Sequence, residues 1–185
     1  MALRQADIVF PMDNEQPGTR DARFAAAEAA LGYSFTGPIK GGGHYVPLLR
    51  HGDQIFISGQ VPRVGDTVVV TGRVGDEVSL EDARRAAQIC AMRAMALLRQ
   101  SLGSLDGVKQ VLRVTAYVQC AAGFTQQSEV ADAASDLLRQ VLGDAGVHTR
   151  TAVGVMALPK NAAVELDLIA AVVSDARAIP GTEPG

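Results

Sequence analysis

The sequence is poor in the residues that build disulfide frameworks and metal centres. It contains two cysteines, Cys90 and Cys120, and three histidines, and these residues do not share the close spacing of metal ligands. Isolated thiols of this kind are typical of a reduced, cytoplasmic protein. We therefore expect a cytoplasmic location, incidental thiols and no bound metal.

Long apolar runs and clusters of like charge are also missing. No apolar stretch reaches the roughly 18 residues that a transmembrane helix needs, and the N-terminal segment lacks a secretory hydrophobic region. The 17 Lys and Arg and 20 Asp and Glu give a net charge of −3, and the basic residues are scattered along the sequence. Because nucleic-acid binding needs a concentrated positive surface, neither a membrane nor a nucleic acid is predicted as a partner.

What remains is the composition of one globular domain. Hydrophobic residues make up 48% of the 185 positions, enough for a sizeable core. Proline and glycine positions divide the chain into a partly flexible N-terminal extension (residues 1–40), a folded domain (residues 41–175) and a flexible tail (residues 176–185).

Apolar spacing predicts two long helices. The first follows a capping signature at Ser79 and stops at Gly103, and the second spans about residues 128–142. An alanine-rich segment, residues 23–31, could form a shorter helix.

Strands precede, separate and follow the two long helices. The pattern predicts a first hairpin within residues 45–58, a short strand at 68–70, a strand at 111–118, and a last hairpin over residues 150–169. Helices that separate strands of one sheet must pack on a face of it. The order therefore predicts an α+β two-layer sandwich, a mixed β-sheet with two helices on one face, whose other face is a candidate subunit interface.

The last predicted hairpin carries one arginine and one glutamate. Arg150 offers a planar, two-pronged donor suited to a carboxylate, and Glu165 can orient or deprotonate a water. Because one hairpin connects them, the two side chains are expected to lie close together, and the pair favours a small carboxylated substrate. The alternative is that Arg150 binds a surface carboxylate and that Glu165 lies on a solvated sheet face.

Three segments taken together resemble the RidA/YjgF family of reactive-intermediate (enamine/imine) deaminases, also known as endoribonuclease L-PSP. They are Phe-Ile-Ser-Gly-Gln-Val-Pro at 56–62, Leu-Gly-Ser-Leu-Asp-Gly-Val at 102–108, and the predicted hairpin from Arg150 to Glu165. The resemblance implies a chorismate-mutase-like fold and a homotrimer with clefts between subunits. It also implies hydrolysis of 2-aminoacrylate-like imino acids to 2-keto acids and ammonia without a metal or organic cofactor.

The resemblance also implies roles for individual residues. Arg150 matches the arginine that grips the substrate carboxylate, and Glu165 matches the acidic residue that positions the attacking water. Tyr45 matches a tyrosine that lines the cleft. Ser58 and Gly59 match a segment whose backbone lines the same pocket.

The sequence departs from the family pattern at three places. Ala152 stands where many members have a cysteine, although backbone groups there would contact the substrate nitrogen. The usual asparagine after Phe124 is missing, with Gln126, Gln127 and Ser128 as the nearest polar residues. Residues 1–40 extend beyond the family core, so the chain is expected to belong to a divergent subgroup.

These departures leave two alternatives to imine hydrolysis open. One is a non-catalytic trimer that binds 2-keto acids or related carboxylates, which the altered cleft rim favours. The other is an endoribonuclease, which the negative net charge and the absence of a basic cluster in the sequence disfavour.

Overall fold

The computed structural model describes residues 18–174, which form a five-stranded mixed sheet covered by helices. The predicted tail at 176–185 and the first 17 residues of the predicted extension lie outside the described residues. In chain order the helices and strands are α1 (Arg20–Leu31), β1 (Leu48–His51), β2 (Gln54–Gln60), β3 (Arg63–Val64), β4 (Thr67–Val68), α2 (Leu80–Leu102), β5 (Val108–Gln119), α3 (Gln127–Leu142), β6 (Thr149–Val155) and β7 (Val164–Val172).

The two long helices form where their end signals predict them. The Ser79 hydroxyl accepts a hydrogen bond from the backbone N–H of Asp82 at the start of α2, and Gly103 ends that helix in a left-handed conformation. The buried side of α2 is rich in alanine, so the helix lies close to the sheet and to α3. The predicted α+β two-layer sandwich is confirmed.

A third helix, α1, joins the two that were predicted to cover the sheet. Thr19 caps its start, and Phe24, Ala27 and Leu31 are buried in the common core. Arg20 adds hydrogen bonds to the backbone oxygens of Leu105 and Val108. The helix is therefore packed against the rest of the domain.

The sheet order β1-β2-β7-β5-β6 corrects the predicted last hairpin. β6 pairs with β5 in parallel and β7 pairs with β5 antiparallel, so β5 separates the two strands that were expected to be neighbours. The buried side chain of Gln119, at the end of β5, holds the connection between β6 and β7. Its Oε1 accepts from the N–H of Leu158, and its Nε2 donates to Asn161 Oδ1 at 2.6 Å.

The two faces of the sheet differ in cover. One face is buried beneath the helices, whereas the other keeps large apolar side chains in the open, including Leu49 at 59%, Phe56 at 38% and Val153 at 39% exposure. Leu49 and Phe56 are direct cross-strand partners, so they form one continuous patch. Within residues 18–174, no helix is long and apolar enough to cross a membrane.

Candidate functional site

A cleft of about 210 Å³ lies beside the end of β2 and the start of β7. Four of the six predicted site residues line it: Tyr45, Ser58, Gly59 and Glu165. Arg150 and Ala152 do not. The tertiary structure therefore divides the predicted site into two groups.

Glu165 supplies the carboxylate of the cleft. It alternates along β7 with buried Val164 and Leu166, so it lies on the face away from the helices, as Asp167 does. Burial raises the pKa of the Glu165 carboxyl above its usual value, and the charge of Asp167 raises it further. The Tyr117 hydroxyl donates to Asp167 Oδ2 at 3.1 Å and so holds the second carboxylate in place. A carboxylate with a raised pKa is a stronger base, as proton transfer from water requires.

Gly59 makes room for the Glu165 side chain. A Cβ added at Gly59 would lie 1.7 Å from Glu165 Oε1 and 2.7 Å from its Cδ. The pairing of β2 with β7 also shifts register between Ile57 and Gln60, which is the irregularity that brings Gly59 against the carboxylate. The Ser58 hydroxyl donates to the backbone oxygen of Pro47. A side chain at position 59 would overlap the Glu165 carboxylate, so this position requires glycine.

Tyr45 forms the outer wall of the cleft. The N–H of Gly42 donates to its hydroxyl at 3.3 Å, and a Cβ at Gly43 would lie 3.2 Å from its ring. A Cβ at Gly41 would lie 2.7 Å from its backbone oxygen. The glycine triplet therefore wraps around the tyrosine, which is 53% exposed.

Arg150 lies on the other face of the sheet, and the expectation that it sits near Glu165 within one chain is wrong. Arg150 pairs with Val114 of β5, whereas Glu165 pairs with Tyr117. Successive strand residues point to opposite faces, so Val114 and Tyr117 direct their partners to different sides. Ala152, two residues after Arg150, is on the Arg150 side.

Side chains of α3 hold the Arg150 guanidinium. Its Nη2 forms an ion pair with Asp132 Oδ1 at 2.8 Å and donates to the backbone oxygen of Ser128, and its Nη1 donates to Ser135 Oγ at 2.8 Å. An arginine has five N–H donors, and these contacts use three of them. Of the three candidates for the missing asparagine, only Ser128 contacts Arg150, and it does so through its backbone oxygen. Asp132 and Ser135 are the side chains that the sequence did not identify.

His148 completes a polar network behind Arg150. Its Nδ1–H donates to the backbone oxygen of Gly146 at 2.6 Å, so its Nε2 is free to accept from the Ser135 hydroxyl at 3.0 Å. Burial lowers the pKa of His148, the bond to Gly146 opposes that shift, and the charge of Arg150 lowers the pKa further. His148 is consequently a neutral structural group at physiological pH.

The lowered pKa of His148 predicts a loss of stability in mild acid. The unfolded chain takes up the proton near the ordinary pKa of about 6.5, before the folded protein does, so stability is complete above that value and falls as the pH drops below it. We expect the unfolding midpoint of wild type to fall more between about pH 7.5 and about pH 5 than that of His148→Gln. The same substitution at exposed His51 is the control, and parallel curves for wild type and His148→Gln would contradict the prediction.

The structure also brings basic residues together that are scattered in the sequence. Lys40, Arg63, Arg93 and Lys160 all line the cleft. One of these cations could have been noticed in the sequence, because Arg93 interrupts the apolar run Ala91-Met92-Arg93-Ala94-Met95 in the middle of α2. In the part of the chain that the structure describes, no group of three or more His, Cys, Asp or Glu residues is placed to hold a metal ion.

The chain is similar to proteins of known sequence. A family model described as YjgF/chorismate mutase-like, putative endoribonuclease matches residues 26–172. Protein TCP17 of Trypanosoma cruzi is 36% identical over 148 residues, which cover 80% of this chain and 92% of that protein.

Two solved structures have closely similar folds. A protein of unknown function from Agrobacterium tumefaciens superposes with a TM-score of 0.76 at 34% identity, covering 83% of this chain and 95% of its own. A protein from Shewanella oneidensis described as a putative endoribonuclease gives a TM-score of 0.77 at 26% identity, covering 84% and 100%.

Proposed function

The chain belongs to the YjgF/chorismate-mutase-like family, and from that premise we propose that it hydrolyses reactive enamine and imine intermediates to 2-keto acids and ammonia. The substrates proposed are 2-aminoacrylate-like imino acids. The observation that carries the proposal is the Glu165 carboxylate, whose pKa is raised at the wall of a small cleft that Tyr45 encloses.

The proposed chemistry uses Glu165 twice. The carboxylate accepts a proton from water as the water oxygen bonds to the imine carbon, which forms a carbinolamine. Starting from the N-protonated imine, this carbinolamine is neutral. Glu165 then gives its proton to the nitrogen, the C–N bond breaks and ammonia leaves, and the carboxylate takes up the hydroxyl proton as the carbonyl forms. An enamine first takes up a proton on carbon to become the imine. The substrate is already electrophilic, so the protein contributes mainly position and one proton relay.

The carboxylate of the substrate needs a cation, and we propose that Arg150 of a second subunit supplies it. Within one chain Arg150 and Glu165 lie on different faces of the sheet, on strands that β5 separates. β6 is an edge strand, and the uncovered face of the sheet exposes Leu49, Phe56 and Val153. Three copies that bury this face would form a homotrimer and bring each Arg150 towards the Glu165 cleft of a neighbour. The two unused N–H donors of Arg150 are then available to the substrate.

The test is a mixture of two inactive variants. Imino acids generated by an amino-acid oxidase are trapped with semicarbazide, and active protein lowers the trapped amount. Arg150→Ala and Glu165→Gln are each expected to leave trapping unchanged. After the two are unfolded and refolded together, roughly a quarter of the clefts should combine an intact Arg150 with an intact Glu165, and activity should return to about that fraction of wild type.

Controls separate assembly from chemistry. Each variant refolded alone, and the two mixed without refolding, should stay inactive, and light scattering should give a trimer for all samples. Activity of Arg150→Ala alone would contradict the role of the arginine. A mixture of well-folded trimers without recovered activity would contradict the shared cleft.

One observation favours the alternative of a non-catalytic binding trimer. Arg150 is already paired with Asp132, which weakens its attraction for a substrate carboxylate. Calorimetric binding of 2-keto acids by a protein that hydrolyses no imine in the trapping assay would support this alternative. Ribonuclease activity ranks third, because the net charge of −3 disfavours binding of a polyanion and the four clustered cations line one small cleft.

A further inference from the structure

The cleft beside Glu165 contains an excess of positive charge. Four cations line it, namely Lys40, Arg63, Arg93 and Lys160, against the single carboxylate of Glu165. The protein as a whole has a net charge of −3, so this concentration is local. If the substrate carboxylate is bound by Arg150 of a neighbouring subunit, these cations have no role in the proposed reaction.

Arg93 is the strongest indication that an anion belongs here. Its side chain is 7% exposed, and its Nη1 donates to the backbone oxygen of Arg63 at 2.9 Å. Its Nε is buried without a hydrogen-bond partner, and the same is true of the Nε of Arg63. Buried guanidinium groups are normally paired with a carboxylate, because leaving the charge unpaired is costly. Within residues 18–174, neither arginine forms an ion pair with Asp or Glu.

Lys160 is held at the cleft by a strained turn. Lys160 and Asn161 both have left-handed backbone conformations, with φ of 59° and 57°. Residues other than glycine adopt this conformation at an energetic cost, which the surrounding structure must offset. The buried Gln119 side chain does so by forming hydrogen bonds to Leu158 and Asn161, on either side of Lys160. The Gln119 side chain thus fixes the loop that places Lys160 at the cleft.

Resting on the proposed function, we infer that the substrate carries a second anionic group: it is an imino acid whose side chain ends in a carboxylate. Arg93, Arg63 and Lys160 bind the side-chain carboxylate, and the neighbouring subunit's Arg150 binds the α-carboxylate. Both arginines line the cleft, and a carboxylate bound there would supply the opposite charge that neither has in the described part of its own chain.

The test measures the ratio of kcat/KM for acidic over apolar imino acids. Oxidases acting on aspartate and glutamate generate the acidic imino acids, and an oxidase acting on leucine and methionine generates the apolar ones. Wild type is expected to prefer the acidic class. Arg93→Gln and Lys160→Asn should each lower the ratio about ten- to hundredfold, as the loss of a charged hydrogen bond does. Asparagine at position 160 keeps the left-handed backbone accessible.

Two further variants separate binding from folding. Arg93→Lys retains a charge in the buried position and should restore part of the ratio. Lys109→Gln removes an exposed cation outside the cleft and should leave the ratio as in wild type. If Arg93→Gln fails to fold, Lys160→Asn still decides the question, because residue 160 is exposed.

Direct binding distinguishes failure of this inference from failure of the proposed function. Calorimetry compares 2-oxoglutarate and oxaloacetate with 2-oxobutanoate. Tighter binding of the two dicarboxylates, lost in Lys160→Asn, supports the second anion site even if no imine is hydrolysed. Hydrolysis of apolar imines with no preference for acidic ones, or binding of inorganic phosphate without binding of dicarboxylates, overturns the inference and leaves the reaction untouched.

Discussion

Glu165→Gln is expected to abolish imine hydrolysis and to raise the unfolding temperature at neutral pH. Glutamine cannot accept the proton of the attacking water, so kcat/KM should fall by about 10²- to 10⁴-fold. Glutamine has nearly the same shape and fills the same space beside Gly59. The loss of activity therefore comes from chemistry and not from a change of the cleft.

The gain in stability follows from the raised pKa of Glu165. A carboxyl whose pKa is higher in the folded state binds its proton more tightly there than in the unfolded chain. Its contribution to stability is fully present below the ordinary glutamate pKa and is lost as the pH rises through the folded pKa. At neutral pH the buried charge destabilises the fold, and glutamine removes that cost. Differential scanning calorimetry should show the variant above wild type at about pH 7 and close to it at about pH 4.

Asp167→Asn is the matched control for Glu165→Gln. The amide can still accept the bond from the Tyr117 hydroxyl, but the negative charge that raises the pKa of Glu165 is gone. The acidic limb of the pH profile of kcat/KM should then move to lower pH. A Glu165→Gln protein that keeps wild-type activity, or that melts below wild type at neutral pH, would contradict this account.

Gly59→Ala is expected to remove nearly as much activity as Glu165→Gln. The added methyl carbon would lie 1.7 Å from Glu165 Oε1, so the two atoms would overlap. No adjustment of a few tenths of an ångström relieves such an overlap, so the carboxylate must leave its position. Gly59 does not have a positive φ, and the substitution therefore tests space rather than backbone strain. The measurement is kcat/KM in the trapping assay, together with circular dichroism to confirm the fold.

Two comparisons make the Gly59 result specific. Gly37→Ala is the control, because a Cβ at Gly37 meets no atom within 4 Å, and its activity should match wild type. The double variant Gly59→Ala, Glu165→Gln should be no less active than Glu165→Gln alone, since both changes act on one carboxylate. Full activity in Gly59→Ala would mean that hydrolysis does not depend on where Glu165 is held.

Local signals predicted the helices because their ends are decided by neighbouring residues. Ser79 caps the start of α2 and Gly103 ends it, each through contacts within one turn of the helix. The helix α3 begins one residue before its predicted start. The pattern along β7 likewise indicated that Glu165 lies on the sheet face away from the core, since it alternates with apolar Val164 and Leu166. Inferences of this kind need only the residues on either side.

Strand pairing could not be inferred in the same way. Two strands with a short turn between them are the pattern of a hairpin, and nothing between Arg150 and Glu165 reveals that β5 lies between the two strands. That insertion depends on contacts with a strand more than thirty residues earlier in the chain. As a result, Arg150 and Glu165, which were predicted to be neighbours, are on opposite faces of the sheet within one chain.

The sequence by itself determined the fold class, the family and four of the residues that line the cleft, because these depend on local patterns and on motifs that can be matched position by position. Only the tertiary structure decided which groups meet. It separated Arg150 from Glu165, and it gathered Lys40, Arg63, Arg93 and Lys160 from four distant segments around one carboxylate. Long-range packing decides which side chains meet, because the position of each strand or helix depends on all the elements packed against it.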